Sequence, residues 1–124
     1  MKLYRAMKVA PDGKPLVGTR RNMLGVRPTD PANTDPRRRF DVAAVNDGDT
    51  VSPGEGLSTS LNPARLRVGA GEAVFEIETD DLTHALAPNP DHPPHCLLEP
   101  ASPTTLGEFQ DALADTRDLW QQVQ

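Results

Sequence analysis

Thirteen prolines and nine glycines in 124 residues set the first limit on this chain. Proline lacks a backbone N–H and breaks helix interiors, and glycine is costly there. A chain that is helical throughout is excluded, and so is a coiled coil. The length fits one domain, residues 1–124. Apolar residues make up 36% and aromatics 4%, so the core must be thin. No apolar run approaches the roughly 18 residues of a membrane span. The opening Met1-Lys2-Leu3-Tyr4-Arg5 lacks the apolar stretch of a Sec signal peptide. The expectation is a protein made in the cytoplasm and not bound to a membrane. A single cysteine, Cys96, excludes an internal disulfide and a cysteine-rich zinc site.

Leu3 to Val9 reads as a strand before the turn Pro11-Asp12-Gly13. Alternation places Leu3, Arg5, Met7 and Val9 on one face and Tyr4, Ala6 and Lys8 on the other. Met23 to Val26 and Phe40 to Val45 are candidate short strands, separated by a proline-bearing loop from Arg27 to Arg39. Leu57 to Leu61 is a short hydroxyl-rich strand after a glycine-containing turn. Ala73 to Glu78 alternates, with Ala73, Phe75 and Ile77 inward. Pro88, Pro90, Pro93 and Pro94 predict a loop over 87–94, and His95 to Glu99 a strand ended by Pro100. Thr105 and Glu108 form a capping box for a terminal helix. On it Phe109, Ala112, Leu113, Thr116, Trp120 and Val123 recur at helical spacing, with Asp111, Asp115 and Asp118 on the polar face. The pattern predicts a small α+β fold, mostly antiparallel, with long loops and a C-terminal helix covering one face. So much irregular backbone suits loops shaped for binding.

Charge is unevenly spread. Residues 1–62 carry 10 basic and 7 acidic side chains, whereas 63–124 carry 3 basic and 11 acidic. Arg20-Arg21, Arg27 and Arg37-Arg38-Arg39 suit an anion such as a nucleotide phosphate, a nucleic acid or an acidic partner. The plainer reading is solvated loops that meet the acidic half of the same molecule. Arg5 on an apolar strand face either pairs with a buried carboxylate or lines a pocket and binds an anion. Ser58-Thr59-Ser60 are either ligand-facing hydroxyls or hydroxyls bonded to backbone. Glu99 shares a strand face with His95 and Leu97, and is either a site carboxylate or an exposed strand end; His95 is equally readable as a satisfied loop histidine. Cys96 alternates away from that face and reads as a buried small residue. His84, His92 and His95 match no metal-site spacing, so no metal is expected.

An anchoring arginine, a hydroxyl-rich strand and a late carboxylate, in that order, suit a dinucleotide. Arginine forks to pyrophosphate, hydroxyls position a ribose, and a carboxylate stabilises a developing oxocarbenium ion. There is no Gly-x-Gly-x-x-Gly or Walker loop, so another architecture would hold it.

The series Leu3-Tyr4-Arg5-Ala6, Leu24-Gly25-Val26-Arg27-Pro28, Val51 to Leu61, Gly71 to Ile77, Pro94 to Pro100 and Thr116-Arg117 with Trp120 spans most of the chain. In order and spacing it resembles the NAD-dependent cytotoxic effectors of bacterial type VI secretion, a branch of the ADP-ribosyltransferase-toxin fold. The resemblance implies a cleft between two small sheets and NAD as substrate. It also implies a target macromolecule in a recipient cell's cytoplasm, with ADP-ribose transfer or NAD hydrolysis as the activity. A cognate immunity protein is implied as partner. It makes Arg5 the anchor, Ser58 and Thr59 the hydroxyl pair beside Ser60, Glu99 the late-strand carboxylate, and His95 a neighbour in the site. Leu57 and Cys96 stand where that family usually has glycine. The alternative is a domain of the same fold that acts by binding a partner without catalysis.

Overall fold

The computed structural model describes residues 1–123. Its centre is strand β1 (Lys2–Lys8), flanked by two later segments. Strand β4 (Glu72–Glu78) runs antiparallel along its whole length, from Lys2 opposite Glu78 to Lys8 opposite Glu72. Alternation explains the choice. Leu3 and Met7 meet Ile77 and Ala73 across the pair, with all four buried, while the Lys2 ammonium reaches the Glu76 carboxylate at 2.7 Å on the wet face. On the other side lies β3 (Leu57–Ser60), then β6 (His95–Pro100), then β5 (Leu86–His92) at the edge. A short strand β8 (Gln121–Gln122) closes the opposite edge beside β4. The six-stranded sheet is antiparallel throughout. A second, two-stranded sheet joins β2 (Thr50–Val51) to β7 (Thr104–Thr105) at the start of helix α1 (Leu106–Asp115).

One hydrophobic cluster underlies the sheet and helix. Trp120, Phe75, Phe109, Leu3, Met7, Leu57, Leu98 and Leu113 are all fully buried in it. Each such side chain contributes about 1.5–3 kcal/mol over its exposed state. The Thr105 hydroxyl caps α1 by accepting the Glu108 N–H at 3.2 Å, and Leu106, Phe109 and Leu113 form the buried stripe.

The expected mixed, mostly antiparallel architecture with a C-terminal helix is present, but four local expectations need correction. Residues 87–94 are not a loop: Leu86 to His92 pair with β6 despite Pro88 and Pro90. An edge strand tolerates proline, because the N–H it lacks would face solvent. Phe40 to Val45 is not a strand. Its backbone is satisfied piecemeal: Asp41 N–H donates to Arg27 O at 2.8 Å, Ala43 N–H to Glu55 Oε2 at 2.7 Å and Val45 N–H to Asp49 Oδ2 at 3.1 Å. Met23 to Val26 is likewise no strand, with one isolated bridge between Val17 and Leu24. The helix stops at Asp115, short of Trp120. The Thr116 hydroxyl donates to Leu113 O at 2.6 Å and accepts the Trp120 indole N–H at 3.0 Å, so Trp120 enters the core after a separate 3-10 turn. Among the described residues no helix is long and apolar enough to cross a membrane.

Candidate functional site

Between β1 and β3 the ladder rests on a single register pair, Tyr4 opposite Ser60. Beyond it no further pair forms, and the Arg5 side chain spans the opening. Its Nη1 donates to the Ser58 carbonyl at 2.8 Å and its Nη2 to the Met23 carbonyl at 3.0 Å. The guanidinium does there what a ladder N–H would otherwise do, and it also fixes the 18–25 loop to the sheet. At this place lies a cavity of about 440 Å³. Arg5 and Ala6 of β1, Ser58 to Ser60 of β3 and His95 of β6 form its wall.

Arg5 has no carboxylate partner among the described residues, and it lines this cavity. Its Nε is buried without a hydrogen-bond partner among the described residues. Burial is the main cause that lowers its pKa to about 10, with Arg27 pushing the same way and Asp41 and Glu72 opposing. A buried unsatisfied donor costs about 1–3 kcal/mol, more for a charged group. A ligand anion or carbonyl reaching this group would relieve that cost.

The three hydroxyls differ. Thr59 is buried and donates to the Cys96 carbonyl at 2.7 Å, tying β3 to β6. The Ser60 hydroxyl donates to Asn62 O at 2.8 Å and accepts Asn62 N–H at 3.0 Å, which shapes the strand exit. Ser58 is exposed, and its hydroxyl has no partner among the described residues, so it is the one most available to a ligand. His95 turns its Nδ1 to Asp91 Oδ1 at 2.7 Å, which orients the ring and leaves Nε2 open. Burial works to raise the Asp91 carboxyl, but hydrogen bonds from His95 and the His92 backbone outweigh it and hold the group below its ordinary value.

Glu99 lies elsewhere. It is on β6 with His95, yet it does not line the cavity. Its Oε2 accepts the Gly54 N–H at 2.8 Å and the Asn89 amide at 3.1 Å, fastening the 52–56 turn to the sheet edge. Gly56 beside it packs so closely that a Cβ would run into the Leu98 carbonyl oxygen. Leu57 and Cys96, which stand for glycines in the resembled family, are both fully buried. Burial pushes the Cys96 thiol pKa up, as for a packing residue. His92 and His95 both border the cavity, and His84 does not. No group of three metal-ligating side chains occurs among the described residues.

A second cavity of about 640 Å³ shares Arg21 with the first in its lining. Its lining is entirely arginine: Arg20, Arg21, Arg27, Arg37, Arg38 and Arg39. The loops that carry them are pinned by other groups. Gln110 of α1 accepts the Val26 N–H at 2.9 Å and donates to the Val26 carbonyl at 2.8 Å. Asp41 accepts the Arg27 N–H at 2.7 Å and its Nε at 3.2 Å. The first cavity also takes Arg65 and Arg67, which the sequence reading passed over. The available signal was a basic pair flanking Leu66 inside an otherwise acidic half.

Comparison with known proteins adds no assignment: no family model, no curated protein and no solved structure matches this chain.

Proposed function

We propose that this chain is a cytotoxin domain that binds NAD and transfers its ADP-ribose to a target macromolecule, or to water. In this reading it acts in the cytoplasm of a recipient cell and is neutralised by a cognate immunity protein. What carries the reading is the convergence of Arg5, Ser58 and His95 on one cavity, with a buried Arg5 donor left unpartnered. Arg5 binds phosphate or ribose oxygen. Ser58 holds a ribose hydroxyl, and Thr59 and Ser60 keep the strand behind it in shape. The bond between nicotinamide nitrogen and ribose C1 breaks, its electron pair leaves with nicotinamide, and C1 bonds to the acceptor oxygen or nitrogen, which loses a proton to solvent or to His95.

The test is nicotinamide release from NAD by the purified chain in a bacterial lysate, which supplies the acceptor. Wild type is expected to release it, and Ser58→Ala to lose at least tenfold while keeping its thermal melting profile; Arg5→Gln loses at least tenfold as well, with a lowered melting temperature because its bonds to Ser58 and Met23 go with it. No release from folded wild type overturns the reading.

A second reading has one observation in its favour. No carboxylate lines the cavity, because Glu99 is tied to Gly54 and Asn89. On that reading the domain acts by binding a partner, without cleavage. Glu99→Gln separates the two: it abolishes nicotinamide release if Glu99 moves to the ligand, and leaves toxicity intact if binding alone does the harm.

A further inference from the structure

The chain has a net charge of −5, yet no carboxylate lines either of the two cavities that share Arg21. Four arginines line the first and six the second, with Arg21 in both, so nine of the chain's ten arginines line one cavity or the other. Such segregation against the overall charge is not what solvated loops require, since like charges held together repel. Two of the arginines in the second cavity carry a salt bridge among the described residues: Arg27 with Asp41, and Arg37 with Asp35 at 3.7 Å on the surface. Arg20 and Arg21 have no carboxylate within salt-bridge distance there, and Arg38 stacks over the Phe40 ring at 5.8 Å.

The residue type narrows the ligand. Arginine presents a planar fork that matches phosphate oxygens, and none of the three lysines takes part in the second cavity. Its wall has no apolar side chain. A protein partner would want an apolar or aromatic anchor at the centre of such a surface, where charge is normally depleted. A phosphodiester backbone needs only cations in series. The volume of the second cavity, about 640 Å³, exceeds what one phosphate fills.

We propose that the arginine trench formed by residues 20–21, 27 and 37–39 binds the phosphodiester backbone of a nucleic acid, independently of any NAD chemistry. With Phe40 as the one aromatic among these loops, recognition runs through phosphates and not through stacked bases, so binding has little sequence preference. A strand lying in the trench touches Arg21, which also lines the first cavity.

Fluorescence anisotropy of the whole chain with a labelled single-stranded RNA 12-mer of mixed sequence tests this. Binding at 50 mM salt is expected, weakening on the order of 100-fold by 200 mM as counterions are recaptured. The triple variant Arg37→Gln, Arg38→Gln, Arg39→Gln should lose at least tenfold and flatten the salt slope by about 2, at ~0.7 per phosphate contact. Arg117→Gln lies outside both cavities and should change nothing. Should the triple variant fail to fold, Arg20→Gln with Arg21→Gln makes the same demand from the other wall. Absence of binding at 50 mM overturns the proposal. So does equal binding by wild type and the folded variants. Displacement of the RNA by poly-glutamate at equal charge concentration also overturns it, in favour of an acidic protein surface.

Discussion

Seven register pairs satisfy the backbone where β1 meets β4, whereas between Val9 and Asp49 scattered backbone bonds share that work with side chains. In the sheet, one amide ladder supports the next, and burial of Leu3, Met7, Phe75 and Ile77 locks it. In the loops, Leu24, Val26 and Val42 dip into the same core as isolated anchors. Gln110 imitates a strand neighbour for Val26, and Asp41 clamps Arg27. The two regions therefore fail differently. Damage to the sheet is global, while loss of a loop clamp opens one segment. The difference also explains where charge can accumulate. The arginines of the second cavity sit on backbone held by other residues, so most of them are dispensable to the fold.

The largest expected effect tests the cooperative half. Phe75→Ala should cost about 3–5 kcal/mol in chemical denaturation, with every probe shifting together. Gly56→Ala should follow at roughly 2–3 kcal/mol, because a methyl group meets the rigid Leu98 carbonyl and strands β3 and β6 must separate. Gln110→Ala sharpens the contrast. It removes both bonds to Val26 and should cost about 1–3 kcal/mol, with hydrogen exchange accelerated at residues 24–27 and unchanged in β4 at low denaturant. If β4 amides accelerate equally, the loops and sheet form one cooperative unit and the comparison fails.

The smallest effect is electrostatic. The Arg117 guanidinium and the Lys14 N–H hold the Asp12 carboxyl below its ordinary value of 3.8. A depressed folded value means that this contact stabilises above pH 3.8 and is lost as pH falls through the lower folded value. Arg117→Gln should therefore lower the melting temperature slightly at neutral pH, by an amount that shrinks as pH falls below 3.8. The pair is exposed, so the difference is modest and shrinks with salt.

Much of the sheet could be read in the sequence because its strands obey a period of two. Leu3 to Val9 and Ala73 to Glu78 alternate, and Leu3, Met7, Ala73, Phe75 and Ile77 are buried accordingly, but Ala6 and Val74 on the opposite face are buried as well. Arg5 was readable for the complementary reason, as the one polar residue on an apolar face. Strand β5 was hidden, since proline signals a break and only tertiary context reveals an edge. Phe40 to Val45 misled because Val42 and Ala44 are buried as anchors and not as ladder members. Trp120 misled similarly, being buried next to a helix that had already ended. The joining of Arg65 and Arg67 to the first cavity depends on folding residues 63–68 back across β3, which no local pattern encodes. Glu99 shows the limit of parity arguments: it shares a face with His95, but a turn at residues 52–56 covers it.

The prolines of β5 have one more effect. A sheet grows by offering unpaired N–H and C=O groups along its rim, and Pro88 and Pro90 remove two such donors from one rim. The other rim is capped only in part, by Gln121 and Gln122 opposite Glu76 and Phe75 of β4. Another chain is thus hindered at the β5 margin as a place to add itself, and amyloid-like stacking and recognition by strand addition are disfavoured there together.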